Sequence, residues 1–210
     1  GEGDLDSKLS TLNPNFASMI VEIFLEAKLK NEDKVAIAMT GSMPGANIAI
    51  LSACQVMGIK PYVISSVGSS HWGATDPDFT WVNMEKILVD QNIFDMPSIA
   101  ASYGGKSDIG GGLSAFGRKQ IRKKVDEVDI PYFIDVDRLS ESINKRLELY
   151  KAHSSLEDYA AYINVGGGAA SIGTLDEARE IKPGLSFPSD INLFGNNSVL
   201  FKFASMSVPI

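Results

Sequence analysis

The sequence predicts a three-layer α/β fold with a mostly parallel, doubly wound, Rossmann-like sheet. Short apolar segments alternate with longer segments of helical periodicity along the 210 residues. This alternation is typical of βαβ units, whose crossover helices pack on the faces of a parallel sheet. The clearest unit spans residues 35–78, where an apolar run, a small polar loop, a nearly apolar helix and a second apolar run follow one another.

The first part of the chain predicts two helices and two strands. Pro14 favours a helix start, and apolar residues then recur at helical spacing. Residues 35–40 form the first predicted strand, and residues 47–57 form a helix that is apolar nearly all round and therefore buried. Gly58 ends this helix as a C-cap. Residues 62–67 form the second predicted strand.

The second part of the chain continues the alternation. We expect Asp137 to be the N-cap of the last long helix. Three Pro and Gly loop signals predict a surface excursion over residues 176–197. The other predicted elements are helices at residues 81–91 and 114–128 and strands at residues 98–102, 132–135 and 159–165.

These elements predict a single α/β domain over residues 14–210, preceded by a flexible N-terminal segment at residues 1–13. The chain ends with a short helical pattern and then, at residues 207–210, with what begins like an apolar strand. We therefore expect the natural chain to continue beyond Ile210.

Composition limits the classes of function. The net charge of −7 disfavours nucleic acid and anionic membrane surfaces as partners. The single cysteine, Cys54, allows no disulfide framework within the chain. No apolar run reaches the roughly 18 residues that a membrane span needs, and we predict no cofactor. One helix carries a basic face that is typical of a solvated surface but could guide a polyanion, formed by Arg118, Lys119, Arg122 and Lys123.

The loops at one edge of the predicted sheet hold most of the small polar residues. Right-handed crossovers bring the carboxyl ends of all parallel strands to one edge, which is where open α/β sheets bind ligands. The predicted ligand-binding residues at this edge are Thr40, Gly41, Ser42, Asn47, Ser65, Ser66, His71, Trp72, Gly104, Gly105, Gly166, Gly167 and Gly168.

The loop after the first strand has the make-up of an anion cradle. Thr40, Gly41 and Ser42 end a strand and lead into a helix, so backbone N–H groups and the helix dipole could hold a carboxylate, phosphate or sulfate. The alternative is an ordinary strand-to-helix turn in which Asn47 is the helix N-cap. The Gly-Lys-Ser/Thr of a P-loop is absent, which disfavours ATP hydrolysis of that kind.

A nucleophilic site is a further hypothesis. Ser42 or Ser66 could be the nucleophile, His71 the base and Asp76 the orienting carboxylate of an acyl-transfer enzyme. No Gly-x-Ser-x-Gly elbow supports this reading. The alternatives are that His71 orients a substrate and that Asp76 belongs to a turn capping the helix at Thr80.

A metal site is only weakly indicated. Asp76, Asp78 and Asp108 could together hold a hard cation such as Mg²⁺, which prefers carboxylate oxygens. Solvated loop carboxylates are the favoured interpretation, and we predict no metal.

Four segments together resemble the poly-γ-glutamate system protein family of bacteria. They are SSVGSSHWGATDPDFTW, AMTGSMPGANIA, AASYGGKSDIGGGLS and INVGGGAASIG, and the resemblance extends from about Pro14 to the end of the chain. A looser, fold-level likeness is to sugar-isomerase-type binding domains, in which Thr40-Gly41-Ser42 and Ser65-Ser66 would hold a phosphosugar.

The family resemblance implies context without a reaction. It implies a membrane-anchored accessory protein of poly-γ-glutamate synthesis or export, attached through a hydrophobic segment that this chain lacks. The expected location is the cell membrane, with this part as an extracytoplasmic soluble domain. The expected partners are the membrane components of the synthase or exporter, together with glutamate or the γ-glutamyl polymer.

Three functions follow as hypotheses. The first is an accessory protein that binds a carboxylate-bearing ligand, glutamate or a γ-glutamyl chain end, at the sheet edge. The second is a γ-glutamyl or amide hydrolase or transferase that uses a serine with His71. The third is a scaffold without catalytic activity that docks the membrane synthase. The sequence leaves open whether the protein is an enzyme.

Overall fold

The computed structural model has a five-stranded, all-parallel sheet in the order β4-β3-β2-β1-β5, with helices on both faces. The predicted fold class is therefore confirmed. The structure describes residues 2–174, 178, 181–191 and 197–210. The strands are β1 (Lys34–Thr40), β2 (Lys60–Ser66), β3 (Ala100–Ser102), β4 (Phe133–Ile134) and β5 (Ala161–Asn164).

The helices lie between and around these strands. They are α1 (Leu5–Ser10), α2 (Asn15–Glu26), α3 (Pro44–Met57), α4 (Trp81–Asp90), α5 (Ala115–Glu127), α6 (Leu139–Lys151), α7 (Ala169–Ile172) and α8 (Val199–Ala204), with 3₁₀ turns at Leu156–Asp158 and Pro188–Asp190.

The strand order fixes where a ligand site can form. From β1 the chain steps outward to β2, β3 and β4, and then crosses back to place β5 on the other side of β1. The connections therefore diverge at the carboxyl ends of β1 and β5, and such a switch point leaves a crevice in doubly wound sheets. The pairing runs from Lys34 opposite Lys60 to Thr40 opposite Ser66, so β1 and β2 end level with each other.

Two apolar cores cover the two faces of the sheet. Ile37 and Met39 of β1 belong to the core under α2, α3, α4 and α5. The alternate residues of β1 belong to the second core, under α6 and α8, because side chains alternate across a strand. Aromatic rings dominate that second core: Tyr162 and Phe203 stack with their centroids 4.9 Å apart. The hydroxyl of Tyr150 donates to the carbonyl of Ile37 at 2.8 Å, so this core is also tied to the sheet backbone.

Two predicted helix caps are wrong. Helix α3 begins at Pro44 and not at Asn47, because Pro suits the first turn of a helix. Asn47 is therefore inside the helix, fully buried, and its Nδ2 donates to the carbonyl of Thr40 at 3.0 Å. Arg138 and not Asp137 is the N-cap of α6, and it makes no side-chain capping bond. The predicted C-cap Gly58 is confirmed, with φ of 65°.

The segment that the sequence predicted to be flexible contains helix α1. Asp4 caps this helix by accepting a hydrogen bond from the Ser7 N–H at 2.6 Å. Lys8 is buried against the loop that follows β2. No signal for this contact is present near Lys8 in the sequence, because its partners lie more than sixty residues away.

The last residues run beside β5. The Tyr162 N–H donates to the Pro209 carbonyl at 2.9 Å, and Ile210 exchanges two backbone hydrogen bonds with Ser186. The predicted excursion over residues 176–197 falls partly outside the described residues. Within the described part of the chain, no helix has the length and apolar character to cross a membrane.

Candidate functional site

Three buried oxygen atoms without hydrogen-bond partners are concentrated at the switch point. They are Thr40 Oγ1 at the end of β1, Asn164 Oδ1 at the end of β5, and Asn47 Oδ1 in α3, all counted over the described residues. Thr40 is 7% exposed and Asn47 is 0% exposed. A buried polar atom without a partner costs about 1 to 3 kcal/mol, so these atoms mark a place where the fold alone does not meet its hydrogen-bonding needs. We call these residues, with Gly166, the switch-point crevice.

The loop after β5 comes very close to the Thr40 hydroxyl. Gly166 has φ of +78°, and a Cβ added there would lie 2.6 Å from Thr40 Oγ1. Glycine is needed both for this backbone conformation and for this approach. A Cβ on the next residue, Gly167, would meet nothing within 4 Å. The loop therefore covers the Thr40 hydroxyl at Gly166, whereas the space beside Gly167 is unfilled.

An apolar cavity of about 650 Å³ adjoins the crevice. Its walls come from α2, α3, the edge strand β5 and residues 181–185, and it shares Asn164 and Gly166 with the crevice. The volume is within the range of sites for small molecules, which join an apolar lining to a few polar groups. Lys182 is the charged residue in the lining that the structure describes.

The loops after β1 and β2 are tied together next to the crevice. Ser42 Oγ accepts a hydrogen bond from the Ser70 N–H at 3.0 Å, and the Ala74 N–H donates to the Gly41 carbonyl at 2.8 Å. Lys8 reaches this loop from α1, where its Nζ donates to Ser70 Oγ at 2.9 Å and to the carbonyl of His71. Burial lowers the pKa of Lys8.

Asp108 forms a buried ion pair with Arg146, and Ser66 is hydrogen-bonded to both residues. Arg146 Nη2 lies 2.9 Å from Asp108 Oδ2, and both side chains are almost fully buried. Three serine hydroxyls, from Ser66, Ser102 and Ser142, form further hydrogen bonds with this pair, whereas Arg146 Nη1 has no partner among the described residues. We call these five residues the Arg146 cluster. Asp108 is therefore not free to bind a metal, and the Ser66 hydroxyl, 3% exposed, is enclosed.

Ser65 belongs to a second buried network on the opposite face of β2. Trp81 Nε1 donates to Ser65 Oγ at 3.1 Å, and Ser65 Oγ lies 2.8 Å from Ser98 Oγ. Ser98 donates through its N–H and its hydroxyl to the buried carboxyl group of Glu85. Burial raises the pKa of Glu85 to about 7, against the opposing effect of these two hydrogen bonds.

The remaining predicted residues are dispersed. Asp76 Oδ1 accepts from the Asp78 N–H at 2.8 Å in an exposed turn, and Thr80 with Asn83 forms the capping box of α4. His71 and Trp72 are exposed, and within the described part of the chain no hydrogen bond joins the His71 side chain to Ser42 or Ser66. Among the residues that the structure describes, no group of three His, Cys, Asp or Glu side chains could hold a metal ion.

The predicted glycines of the loop after β3 shape the backbone around Asp108. Gly104 and Gly105 have φ of 69° and 70°. A Cβ on Gly104 would lie 3.2 Å from Ser66 Cβ, and one on Gly105 would lie 2.7 Å from the Gly111 carbonyl oxygen. These glycines therefore bring the loop against the end of β2, where Asp108 meets Arg146.

Half of the basic face of α5 is paired. Arg122 Nε lies 3.1 Å from Asp126 Oδ1, and Lys123 Nζ lies 3.6 Å from Glu127 Oε1. These i,i+4 pairs lower the positive charge that the face could offer to a polyanion.

Comparison of the chain with protein-family models, with curated proteins and with solved structures gives no match. The fold and the geometry of the sheet edge therefore carry the functional argument.

Two buried charged side chains at the sheet edge were missed by sequence reasoning. Arg146 lies among Ile143, Leu147 and Tyr150 on the inward stripe of α6. A charged residue in such a stripe signals a buried charge that needs a partner, so Arg146 could have been found. Lys8 carried no comparable signal, because its immediate neighbours Ser7 and Leu9 are both exposed and its partners lie more than sixty residues away.

We predict that Arg146→Met destabilises the protein by about 3 to 5 kcal/mol, because it leaves the Asp108 carboxylate buried without its cation. The exposed Arg138 provides the matched control, and Arg138→Met should change the free energy of unfolding by less than about 1 kcal/mol. Urea unfolding measures both. Adding Asp108→Leu to Arg146→Met should recover part of the lost stability. If Arg146→Met cost no more stability than Arg138→Met, the ion pair would not be what holds the loops.

Glu85 makes a pH-dependent contribution to stability. Its folded pKa of about 7 lies above the ordinary value of 4.5, so the folded state binds the proton more tightly. The contribution is present below pH 4.5 and is lost as the pH rises through 7. Relative to Glu85→Gln, the wild-type unfolding free energy should fall by on the order of 3 kcal/mol over that interval. Unfolding curves measured from pH 4 to 8 test this. The control Glu157→Gln, at an exposed position, should keep the wild-type dependence of the unfolding free energy on pH. Parallel pH dependences for Glu85→Gln and wild type would refute the role of Glu85.

Proposed function

We propose that this chain is the ligand-binding domain of an accessory protein of bacterial poly-γ-glutamate synthesis or export. In this proposal the switch-point crevice binds a carboxylate-bearing ligand, either glutamate or the end of a γ-glutamyl chain. The biological context comes from the family resemblance of the sequence segments, and the site comes from the geometry of the sheet edge.

The observation that carries the binding site is the buried, unpartnered Thr40 hydroxyl at the switch point. Among the described residues no protein group forms a hydrogen bond with this hydroxyl, and a glycine loop lies directly over it. Such a group gains a hydrogen bond when a ligand supplies the missing partner, so its desolvation cost is recovered only in the complex.

The chemistry of the crevice suits the amino-acid end of such a ligand. The Thr40 hydroxyl can donate to a carboxylate, and the side-chain oxygens of Asn47 and Asn164 can accept from an ammonium group. The adjoining apolar cavity, which shares Asn164 and Gly166 with the crevice, is suited to the methylene groups of the glutamyl side chain. A ligand with a zwitterionic end and a short apolar stem meets both requirements.

The charge of the protein favours a chain end over the middle of the polymer. At a net charge of −7 the protein repels an extended polyanion at long range. Two of the four residues of the basic face of α5, Arg122 and Lys123, are paired with carboxylates of the same helix. Short-range hydrogen bonds in a buried crevice are much less affected by this repulsion, since they act on one residue of the polymer.

The first experiment is a thermal-stability panel. Glutamate, γ-glutamyl oligomers, poly-γ-glutamate, sugar phosphates, nucleotides and Mg²⁺ are each added to the protein. A ligand at about 100 times its dissociation constant should raise the unfolding free energy by about 2.7 kcal/mol. Shifts with glutamate or γ-glutamyl oligomers support the proposal. A shift with sugar phosphates alone favours the sugar-isomerase likeness, and no shift with any compound favours the scaffold hypothesis.

The variant Thr40→Val gives a two-part prediction. Removing an unpaired buried hydroxyl should leave the ligand-free protein equally stable or more stable, by up to about 1 kcal/mol. The same change should abolish the stabilisation by the γ-glutamyl ligand. Calorimetry with and without ligand measures both parts.

The matched control is Thr75→Val, at an exposed position in the loop after β2. It should leave the ligand shift intact. A Thr40→Val protein that still shows the full shift would place the ligand elsewhere, and one that loses stability without ligand would mean that the hydroxyl serves the fold.

A further inference from the structure

We propose that Ser70 and Lys8 form a catalytic dyad for acyl transfer, with Ser70 as the nucleophile and Lys8 as the general base. The substrate class is carboxylic esters or amides. Lys8 Nζ lies 2.9 Å from Ser70 Oγ, within the range for direct proton transfer between a nucleophile and its base.

The surroundings of Lys8 favour a lysine that can act as a base. Lys8 is 8% exposed as a residue, and it forms no salt bridge with any carboxylate in the described residues. The carbonyl of His71 accepts its second hydrogen bond and fixes the direction of the amine. Burial lowers its pKa, and a desolvated lysine of this kind is neutral more often than a surface lysine.

Ser70 lies where a substrate can reach it. It is partly exposed, and the residues that follow it, His71 and Trp72, are exposed. Trp72 is 65% exposed and has φ of +67°. A non-glycine residue in this conformation is strained, and such strain is concentrated at functional sites. The backbone of Ser70 is held by the hydrogen bond from its N–H to Ser42 Oγ.

Donors for an oxyanion are also present. Over the described residues, the backbone N–H groups of His71 and Trp72 donate to no backbone or side-chain acceptor. The N–H of the residue that follows a nucleophilic serine is a common oxyanion donor. Two free N–H groups directly after Ser70 can therefore stabilise the charge that develops on a substrate carbonyl oxygen.

The reaction is balanced without a cofactor. The neutral Lys8 amine takes the Ser70 hydroxyl proton while Ser70 Oγ bonds to the carbonyl carbon, and the carbonyl oxygen becomes the oxyanion. Collapse breaks the bond to the leaving alcohol or amine, which receives the proton from the Lys8 ammonium. Water then attacks the acyl-serine, giving its proton to Lys8, and the carboxylic acid leaves as Ser70 regains the proton.

This dyad differs from the serine–histidine site that the sequence suggested. Ser66 is enclosed in the Arg146 cluster, and Ser42 Oγ is engaged with the Ser70 N–H. The dyad also shares none of the residues of the switch-point crevice. The two proposals are therefore tested by separate measurements: covalent labelling of Ser70 tests the dyad, and the thermal shift with γ-glutamyl ligands tests the crevice.

The test is covalent labelling with a fluorophosphonate, which reacts with activated serines, followed by peptide mapping. In the wild type the label should be found on Ser70. Ser70→Ala should abolish it, and Lys8→Met should slow it by at least about 100-fold, the usual contribution of a general base. Ser10→Ala and Lys30→Met, both at exposed positions, are the matched controls and should not change the rate.

Lys8→Arg distinguishes a base from a tether. An arginine can keep the hydrogen bonds and the positive charge but cannot act as a base, so labelling should be slowed by Lys8→Arg as much as by Lys8→Met. Circular dichroism and thermal unfolding check that both variants fold. Wild-type protein that is not labelled at Ser70 would overturn the proposal regardless of the variants. Labelling of Lys8→Met or Lys8→Arg at the wild-type rate would overturn it as well.

Discussion

The buried ion pair between Arg146 and Asp108 is the interaction on which the carboxyl edge of the sheet depends. It joins a helix on one face of the sheet to the loop after β3, and its serine partners stand at the ends of β2 and β3 and on α6. Removing either charge would strand the other in a low-dielectric interior. The pair therefore fixes the positions of three elements at once, and the loops at this edge are built on a rigid support.

Hydroxyl groups at the sheet edge fall into two classes that the sequence alone does not separate. Those of Ser65 and Ser66 are hydrogen-bonded within buried networks on opposite faces of β2. The hydroxyl of Thr40, one strand away, has no partner within the described chain. Hydrogen-bonded hydroxyls make the fold more rigid. A buried hydroxyl without a partner costs the ligand-free protein free energy, which a ligand recovers when it supplies the hydrogen bond. The second class therefore marks a candidate site more sharply than the richness of the edge in serine and glycine.

The predictable part of this protein is the part set by local patterns. Strand and helix alternation, the glycine that ends α3 and the edge that collects the loops all follow from short-range rules. The side-chain partners do not. Whether Ser66 faces a ligand or Arg146 depends on a helix eighty residues later, and whether Lys8 is free or buried depends on a loop sixty-two residues later. Periodicity reports which face a residue occupies, but it does not report what meets it there.

The glycines of the loops after β1 and β2 connect the switch-point crevice to Ser70. A Cβ on Gly41 would lie 2.4 Å from the Val67 carbonyl oxygen, and one on Gly73 would lie 2.7 Å from the Gly41 carbonyl oxygen. Side chains at these positions would push the loops apart and break the hydrogen bond from the Ser70 N–H to Ser42. Close backbone packing, and not a shared side chain, thus holds the two places on one edge. A ligand that displaced the backbone at Gly41 would therefore also shift Ser70, since tightly packed backbone transmits small displacements.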